Sequence, residues 1–387
     1  MIQRLCIITD RYPTKEYPMN TFLDQLVCQF AELGVECTVV TPYSHVRDLI
    51  KGNDYRPPRH YIKKTDNGAE ISIYSPRIFI ITGKKIGPFN FARLFQYLFD
   101  RAAGRVLKEI NIGFDAFYGH FITPAGFAAA KFAQQYHKPS FIAYGECFID
   151  QDSCNFSMEE IRERVSSVSG FVAVSTKNRN ELIEHNLAPE KKIGVFPNSI
   201  NSERFYHMDR REARKELGLP QDDFIIAFVG HFDERKGSGR VAEALRQTEG
   251  VRSIFIGSGS SEPECEGILF KGRVPHEKVA RYLNAADVFV LPTRAEGCCN
   301  AIVEAMACGL PIISSNLPFN DDILTEENSI RIDPDSVDQI RDAIEQLRKD
   351  GEKRTRMGEA SLRLSGELTI DNRARNILNF MDSLIQK

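Results

Sequence analysis

Along almost its whole length the chain alternates short apolar runs with stretches in which apolar residues recur every three to four positions. Apolar runs bounded by turn formers predict buried strands, and the 3.6-residue period predicts helices with one apolar face. The first half reads as strand LCIIT, helix over 21–33, strand ECTVV, an irregular stretch, strand ISIYS, helix over 89–109, strand DAFYG, helix over 124–136, strands SFIAYG and GFVAVS, helix over 176–186 and strand KIGVF. The second half repeats the scheme with strand FIIAFV, helix 238–247, strands SIFIG and ILFKG, helix 276–285, strand VFVLP, helix 300–308 and strands PIISS and SIRI. Such alternation predicts an α/β fold of parallel sheets joined by right-handed crossovers, here as two doubly wound domains in tandem. The segment FPNSINSERFYHMDRREARKELGLPQDD interrupts the pattern and places the joint near 197–215. Ligands of open parallel sheets bind beyond the carboxyl ends of the strands, so two facing sheets would put a substrate in a cleft between the domains.

At 387 residues, 42% hydrophobic and 27% charged, the composition is that of an ordinary globular protein of about two domains. It excludes a fibre, a disordered tail and a disulfide-stapled miniprotein. Nine cysteines (Cys6, Cys28, Cys37, Cys147, Cys154, Cys265, Cys298, Cys299 and Cys308) include no Cys-x-x-Cys pair and no Cys/His cluster at zinc-ligand spacing. They fit a reducing cytoplasm. The opening MIQRLCIITD reads as a first strand rather than a signal peptide, and no stretch nears the roughly 18 to 20 apolar residues that span a bilayer.

Charge is uneven. The net −3 divides into +3 for residues 1–196 and −6 for the remainder, with a local +8 between 47 and 108. Within this basic region, KKIGPFNFARLFQYLFDRAAGRVLK (84–108) mixes Lys84, Lys85 and Arg93 with Phe89, Phe91, Phe95, Tyr97 and Phe99. Two readings stand: a basic amphipathic helix lying on an anionic membrane surface, or core aromatics behind a solvated charged face.

The loops narrow the chemistry. A dinucleotide-binding dehydrogenase would carry Gly-x-Gly-x-x-Gly after its first strand, but here that strand runs into DRYPTKEYPMN, and no Walker A loop is present. Gly257-Ser258-Gly259 reads as a tight strand-to-helix turn. The segment ADVFVLPTRAEGCCNAIVEAMACGLPIISS is more informative. A strand ends at Pro292, a loop holds Glu296 and Gly297, and a helix begins near Asn300. Its first-turn amides make an anion site suited to a diphosphate. Glu304, one turn in, and Glu296, just before the amides, could each reach hydroxyls, one of a ribose and one of a transferred sugar. Beside them FVGHFDERKG brings His231, Arg235 and Lys236 to the end of another strand, where cations would neutralise the diphosphate.

EGCCNAIVEAMACG resembles the Glu-x7-Glu signature of the family 4 retaining glycosyltransferases of the GT-B fold, with Glu296 and Glu304 in its two positions. GHFDERKG resembles the family's basic loop, FKGRVPHEKVARYLNAADVFVLP its nucleotide-side segment, FPNSINSERF its interdomain Pro-Asn motif and GHFITPAGFAAAKFA its first-domain His segment. The resemblance implies two Rossmann-like domains facing a cleft: an acceptor-binding domain over 1–196, a donor-binding domain over 197–365, and a terminal helix over 366–387 packing back on the first. It implies catalytic roles for Lys236, Glu296 and His120. It implies a donor site of His231, Arg235, Arg273, Val274, Gly297, Cys299, Asn300, Ala301, Ile302 and Glu304, with Arg273-Val274 at the base and Glu304 on the ribose. Asn20, Thr21, Tyr144 and Glu146 fall on the acceptor side. Implied partners are a UDP- or GDP-linked sugar and a glycan or lipid-linked acceptor of cell-surface polysaccharide synthesis, with no metal, no cofactor and no nucleic acid. The chain departs from the family pattern at three places: His231 replaces an arginine, Pro18-Met19-Asn20-Thr21 replaces paired glycines, and Tyr144 replaces a sugar-facing histidine. Two rivals keep the same donor site, a sugar-nucleotide epimerase or hydrolase and a sugar-nucleotide-binding protein without turnover.

Overall fold

The computed structural model describes residues 1–14, 20–50, 56–83, 85–86, 89–149 and 156–385. Pro18, Met19, Lys84, Cys154 and the side chain of Lys85 lie outside the described residues. Two compact units emerge, one of Met1–Phe196 with Arg373–Lys387, the other of Pro197–Asn372.

In the first unit, β1 (Arg4–Ile8), α1 (Thr21–Glu32), β2 (Glu36–Val40), α2 (His45–Ile50), β3 (His60–Lys64), β4 (Glu70–Tyr74), β5 (Lys85–Ile86), β6 (Phe89–Asn90) and α3 (Phe91–Ile110) are followed by β7 (Ala116–His120), α4 (Phe127–Tyr136), β8 (Ser140–Tyr144), α5 (Met158–Val165), β9 (Gly170–Ala173), α6 (Thr176–Glu184) and β10 (Ile193–Val195). Eight strands order as β10-β9-β8-β7-β1-β2-β4-β3, parallel except that β3 runs antiparallel to β4. The central strands β7 and β8 are wholly buried, as uninterrupted apolar runs require of a sheet covered on both faces.

In the second unit, α7 (Arg210–Leu217), β11 (Phe224–Val229), α8 (Ser238–Arg246), β12 (Val251–Ile256), β13 (Ile268–Gly272), α9 (His276–Ala285), β14 (Val288–Leu291), α10 (Asn300–Ala307), β15 (Ile312–Ser315), β16 (Ser329–Ile332), α11 (Val337–Lys349) and α12 (Gly351–Ser365) build a parallel sheet ordered β13-β12-β11-β14-β15-β16. The strand order reverses between β11 and β14, and it is beyond the carboxyl ends of strands at such a reversal that open parallel sheets bind their ligands. At the opposite edge, buried Asp287 accepts from the Ile225 amide and from Arg214 at 2.8 Å each, and from Arg210, while Arg214 also donates to the Ala285 carbonyl at 2.9 Å. A buried charge survives only when its hydrogen bonds are met, and here they pin β11 beside β14. Gly257 and Gly259 close the other side: a Cβ would stand 1.9 Å from the Gly230 carbonyl oxygen at the first and 2.2 Å from that of Phe232 at the second. Their role is close backbone approach, as a tight turn requires.

α13 (Ile370–Ile385) starts in the second unit and spends most of its length in the first. There Phe380 packs on Phe196 at 5.5 Å, and Asp382 accepts from the Ile2 amide at 2.8 Å.

Several expectations need adjustment. The irregular stretch after β2 holds α2 and β3. The helix expected over 124–136 begins at Phe127, because Ile122–Gly126 forms a π-type turn entered through Phe121 at φ 70°. In α3, Phe95 and Phe99 join the core with Ala103, Val106 and Leu107, whereas Leu94 and Tyr97 stay exposed beside Arg93, Arg101, Arg105 and Lys108, as does Phe89 in β6. The core reading thus describes one face of α3, and the opposite face carries the exposed basic side chains. Among the described residues no helix is long and apolar enough to cross a membrane.

Candidate active site

The loops that follow β11 and β14, the two strands at the reversal, carry Lys236 and Glu296. The Arg294 amide donates to the Arg235 carbonyl at 2.8 Å, tying one loop to the other. One carboxylate oxygen of Glu296, Oε1, then receives Lys236 Nζ at 2.6 Å, Arg235 Nη1 at 2.8 Å and Thr293 Oγ1 at 2.9 Å. Arg235 also donates to the Ala295 carbonyl, and Asp233 accepts from the Lys236 amide at 2.7 Å. Burial works against the Lys236 ammonium, but Cys299 and Glu296 more than offset it and lift its pKa above the ordinary lysine value. Lys236 is thus a fixed cation.

Cys299 is the N-cap of α10 and lies 3.9 Å from Lys236 Nζ. Burial raises its thiol pKa, against the pull of Lys236. Of the three amides expected to meet phosphates, that of Ile302 closes on the Cys299 carbonyl at 3.2 Å, next to those of Asn300 and Ala301. Asn300 Oδ1 is buried with no hydrogen-bond partner among the described residues. Gly297 and Cys298 precede the turn. The Asn198 amide meets Cys298 Sγ at 3.3 Å, and its Nδ2 donates to the Cys298 carbonyl at 2.9 Å. The Pro-Asn segment thereby braces the glutamate loop.

One turn along α10, Glu304 Oε1 lies 3.2 Å from His276 Nε2. Arg273, just before α9, donates through Nε to Ser258 Oγ at 2.6 Å and is otherwise exposed, next to half-buried Val274. His231 Nδ1 stands 3.0 Å from the Ser258 carbonyl oxygen, also exposed. Two cations, one carboxylate, a helix start and a second carboxylate thus share one edge of the second unit.

The chain matches the model of glycosyl transferases group 1 over residues 209–363 and that of glycosyltransferase family 4 over residues 19–204. It is a family 4 glycosyltransferase. TuaC of Bacillus subtilis, named a teichuronic acid biosynthesis glycosyltransferase, is 26% identical over 85% of each chain. The D-inositol 3-phosphate glycosyltransferase 1 of Catenulispora acidiphila is 30% identical over 39% of this chain and 42% of its own, less than half the length of that relative. Among solved structures, sucrose-phosphate synthase from Thermosynechococcus elongatus superposes over 99% of both chains with a TM-score of 0.79 at 19% identity. Anabaena HepE, solved with UDP and glucose, covers 98% of this chain and all of its own with a TM-score of 0.71 at 14% identity. These likenesses establish the GT-B fold.

The transferase's first unit carries the remaining candidates. His120 ends β7 against Phe121 at 4.5 Å and Phe22 at 5.4 Å, and neither ring nitrogen has a hydrogen-bond partner among the described residues. Burial, with Arg373 adding to it, drives its pKa down to about 3, so the imidazole is neutral. Asn20 holds the left-handed start of α1 at φ 62°, reaching the Arg11 carbonyl at 3.3 Å, and Thr21 opens the helix.

Two acceptor-side expectations meet a different environment. Tyr144 is fully buried in the core and donates its hydroxyl to Glu181 at 2.8 Å. Burial and the nearby Glu181 carboxylate raise its pKa further. Glu146 turns inward, accepting the Ile122 and Gly145 amides at 2.9 Å each. In this structure Glu146 holds the turn that follows His120, and the Tyr144 hydroxyl ties the end of β8 to α6. Sequence reasoning missed His276 and Thr293, and it flagged Asn198 only within the Pro-Asn motif, without its partner Cys298. Only the proximity of His276 to the Arg273-Val274 segment could have flagged one of them.

Proposed function

We propose that this protein is a retaining glycosyltransferase that moves a sugar from a UDP- or GDP-linked donor to a glycan or lipid-linked acceptor in cell-surface polysaccharide synthesis. The observation that carries the reading is the convergence of Lys236, Arg235 and Glu296 beside the start of α10, with Glu304 one turn further. In this reading the α10 amides and the two cations take the diphosphate, Glu304 takes the ribose, Arg273 and Val274 line the base, and Glu296 orients the sugar. The first unit, with His120 at its sheet edge, takes the acceptor.

Cleavage of the bond between the sugar carbon and phosphate oxygen sends the electron pair to the diphosphate, whose charge rises by one. Lys236 is placed to stabilise that charge. Retention requires the acceptor hydroxyl to bond to the carbon from the face the diphosphate leaves, and the departing phosphate oxygen is then a base within reach of its proton. His120, held neutral with a low pKa, is a poor base and serves in shape and hydrogen bonding. The names of TuaC and HepE's ligands support a sugar nucleotide and a surface polysaccharide. Because fixed cations and amides serve the diphosphate, catalysis needs no divalent ion.

The test is incubation of a panel of sugar nucleotides with lipid-linked and glycan acceptors, with and without chelator. A glycosylated product of retained configuration, formed equally in chelator, is expected. Free or epimerised sugar alone would favour the hydrolase or epimerase, no turnover a binding protein, and activity restored only by magnesium or manganese would refute metal independence.

We also propose that the first unit rests on an anionic membrane surface. Among the described residues, eight of the fourteen exposed large hydrophobic side chains (Leu49, Ile50, Ile62, Phe79, Ile81, Phe89, Leu94 and Tyr97) fall inside the basic region identified above. Apolar side chains among cations match a lipid interface. Arg93 pairs with Glu160 at 2.6 Å, so the better probes are Arg101, Arg105 and Lys108 on the exposed face of α3. Replacing these three by glutamine is expected to weaken binding to phosphatidylglycerol-containing vesicles by about a hundredfold, at about 1 kcal/mol per basic residue. Parent protein that ignores such vesicles, or a variant that binds them equally, would contradict it.

A further inference from the structure

The loop that ends β13 and opens α9 does two things within four residues. Arg273 and Val274 stand where the base is proposed to lie, and His276, the first residue of α9, turns its Nε2 to Glu304 Oε1 at 3.2 Å. The imidazole is held from another side by Phe205, whose ring meets it edge-on at 5.3 Å. Phe205 is itself buried. The His276 ring therefore has a fixed place, and one of the two oxygens of Glu304 is committed to it. A carboxylate with one oxygen anchored presents the other in a defined direction, which lowers the ordering cost of gripping a ribose hydroxyl.

We propose that His276 is a positioning residue for the donor nucleotide, anchoring the Glu304 carboxylate and making the grip on the ribose depend on its own protonation. This rests on the proposed contact of Glu304 with the ribose. The groups that act on the imidazole charge are Glu304 on α10, Arg204 beside Phe205, and Glu277 next on α9. The hydrogen bond from Glu304 raises the His276 pKa above the ordinary imidazole value, burial and Arg204 oppose the rise, and Glu277 assists it. The sign follows. The charged imidazolium makes the stronger, charge-assisted bond to Glu304, so the anchor is complete below the ordinary pKa of about 6.5 and weakens as pH rises through the elevated value. Donor affinity is then highest in mild acid and falls toward alkaline pH.

Two measurements test this on the full chain. The first uses UDP-glucose and GDP-glucose as calorimetric probes at pH 6, 7 and 8.5, since the diphosphate of a sugar nucleotide has no proton to lose in that range. For whichever binds, affinity is expected to fall severalfold across the range in the parent. In His276→Gln, which keeps a donor but cannot titrate, the profile should be flat. His276→Ala should be both flat and weak. A His276→Gln profile that copies the parent overturns the proposal.

The second measurement needs no ligand. The His276 ring proton, assigned by its loss in His276→Gln, is followed by NMR against pH. Its pKa is expected above the ordinary value in the parent and lower in Glu304→Gln. An equal pKa in both overturns the proposal as well. If Glu304→Gln moves the imidazole pKa without weakening nucleotide binding, the ribose assignment fails instead, so the two failures are distinguishable.

Discussion

Lys236→Ala is expected to lower kcat by about a hundredfold to a thousandfold, the range seen when a group that stabilises transition-state charge is removed. The bound donor carries two negative charges on its diphosphate and the departing nucleotide three, so a cation beside the leaving phosphate interacts most strongly once the bond to the sugar has broken. Its removal therefore acts on the rate more than on donor binding. In the resting site Lys236 is held by Glu296 at 2.6 Å. Without it, Glu296 keeps Arg235 and Thr293, so the loop retains its ties. The variant should melt near the parent temperature and bind the intact donor within severalfold of it, while losing more affinity for the free nucleoside diphosphate, which carries the third charge. Steady-state rates with a saturating donor decide the matter. A loss confined to KM would place Lys236 in uniform binding of the diphosphate rather than in stabilising its departure.

How much of this could be read from the residues follows from the range of each interaction. Glu296 and Glu304 share one loop and one helix turn, and strand, loop and helix are written locally, so their common edge was legible from spacing. Lys236 required one further inference, that the strand before it ends at the same edge, which the parallel alternation supplies. What escaped depends on partners far along the chain. His276 meets Glu304 across 28 residues, Asn198 meets Cys298 across 100, and Arg214 meets Asp287 across 73. Nothing in a local pattern encodes such a pairing. Tyr144 belongs with these: the family resemblance put it on the acceptor side, and its hydroxyl finds an internal partner in Glu181, 37 residues later in the chain. β3 was missed because HYIKK is an edge strand with alternating exposure and only half-buried positions, too little apolar signal to stand out.

The central claim is that Glu304 holds the nucleotide while Glu296 serves the sugar, and the structure sharpens what each substitution should do. Glu304 has one oxygen on His276 and a second available to a ribose, which free nucleotide and intact donor both contain. Hydrogen bonds to charged groups are worth roughly 1.5 to 3 kcal/mol, so Glu304→Gln should weaken both ligands about tenfold or more. Glu296 instead occupies the cations that a diphosphate would use, through Oε1 at 2.6 Å from Lys236 and 2.8 Å from Arg235. Removing its charge frees those cations, so Glu296→Gln should bind free nucleotide as tightly as the parent or more tightly, yet turn over slowly. Calorimetry of the free nucleoside diphosphate against the two variants side by side is the most direct test. The account predicts a loss of about tenfold or more in Glu304→Gln and none in Glu296→Gln, and equal affinities in the two variants would contradict it.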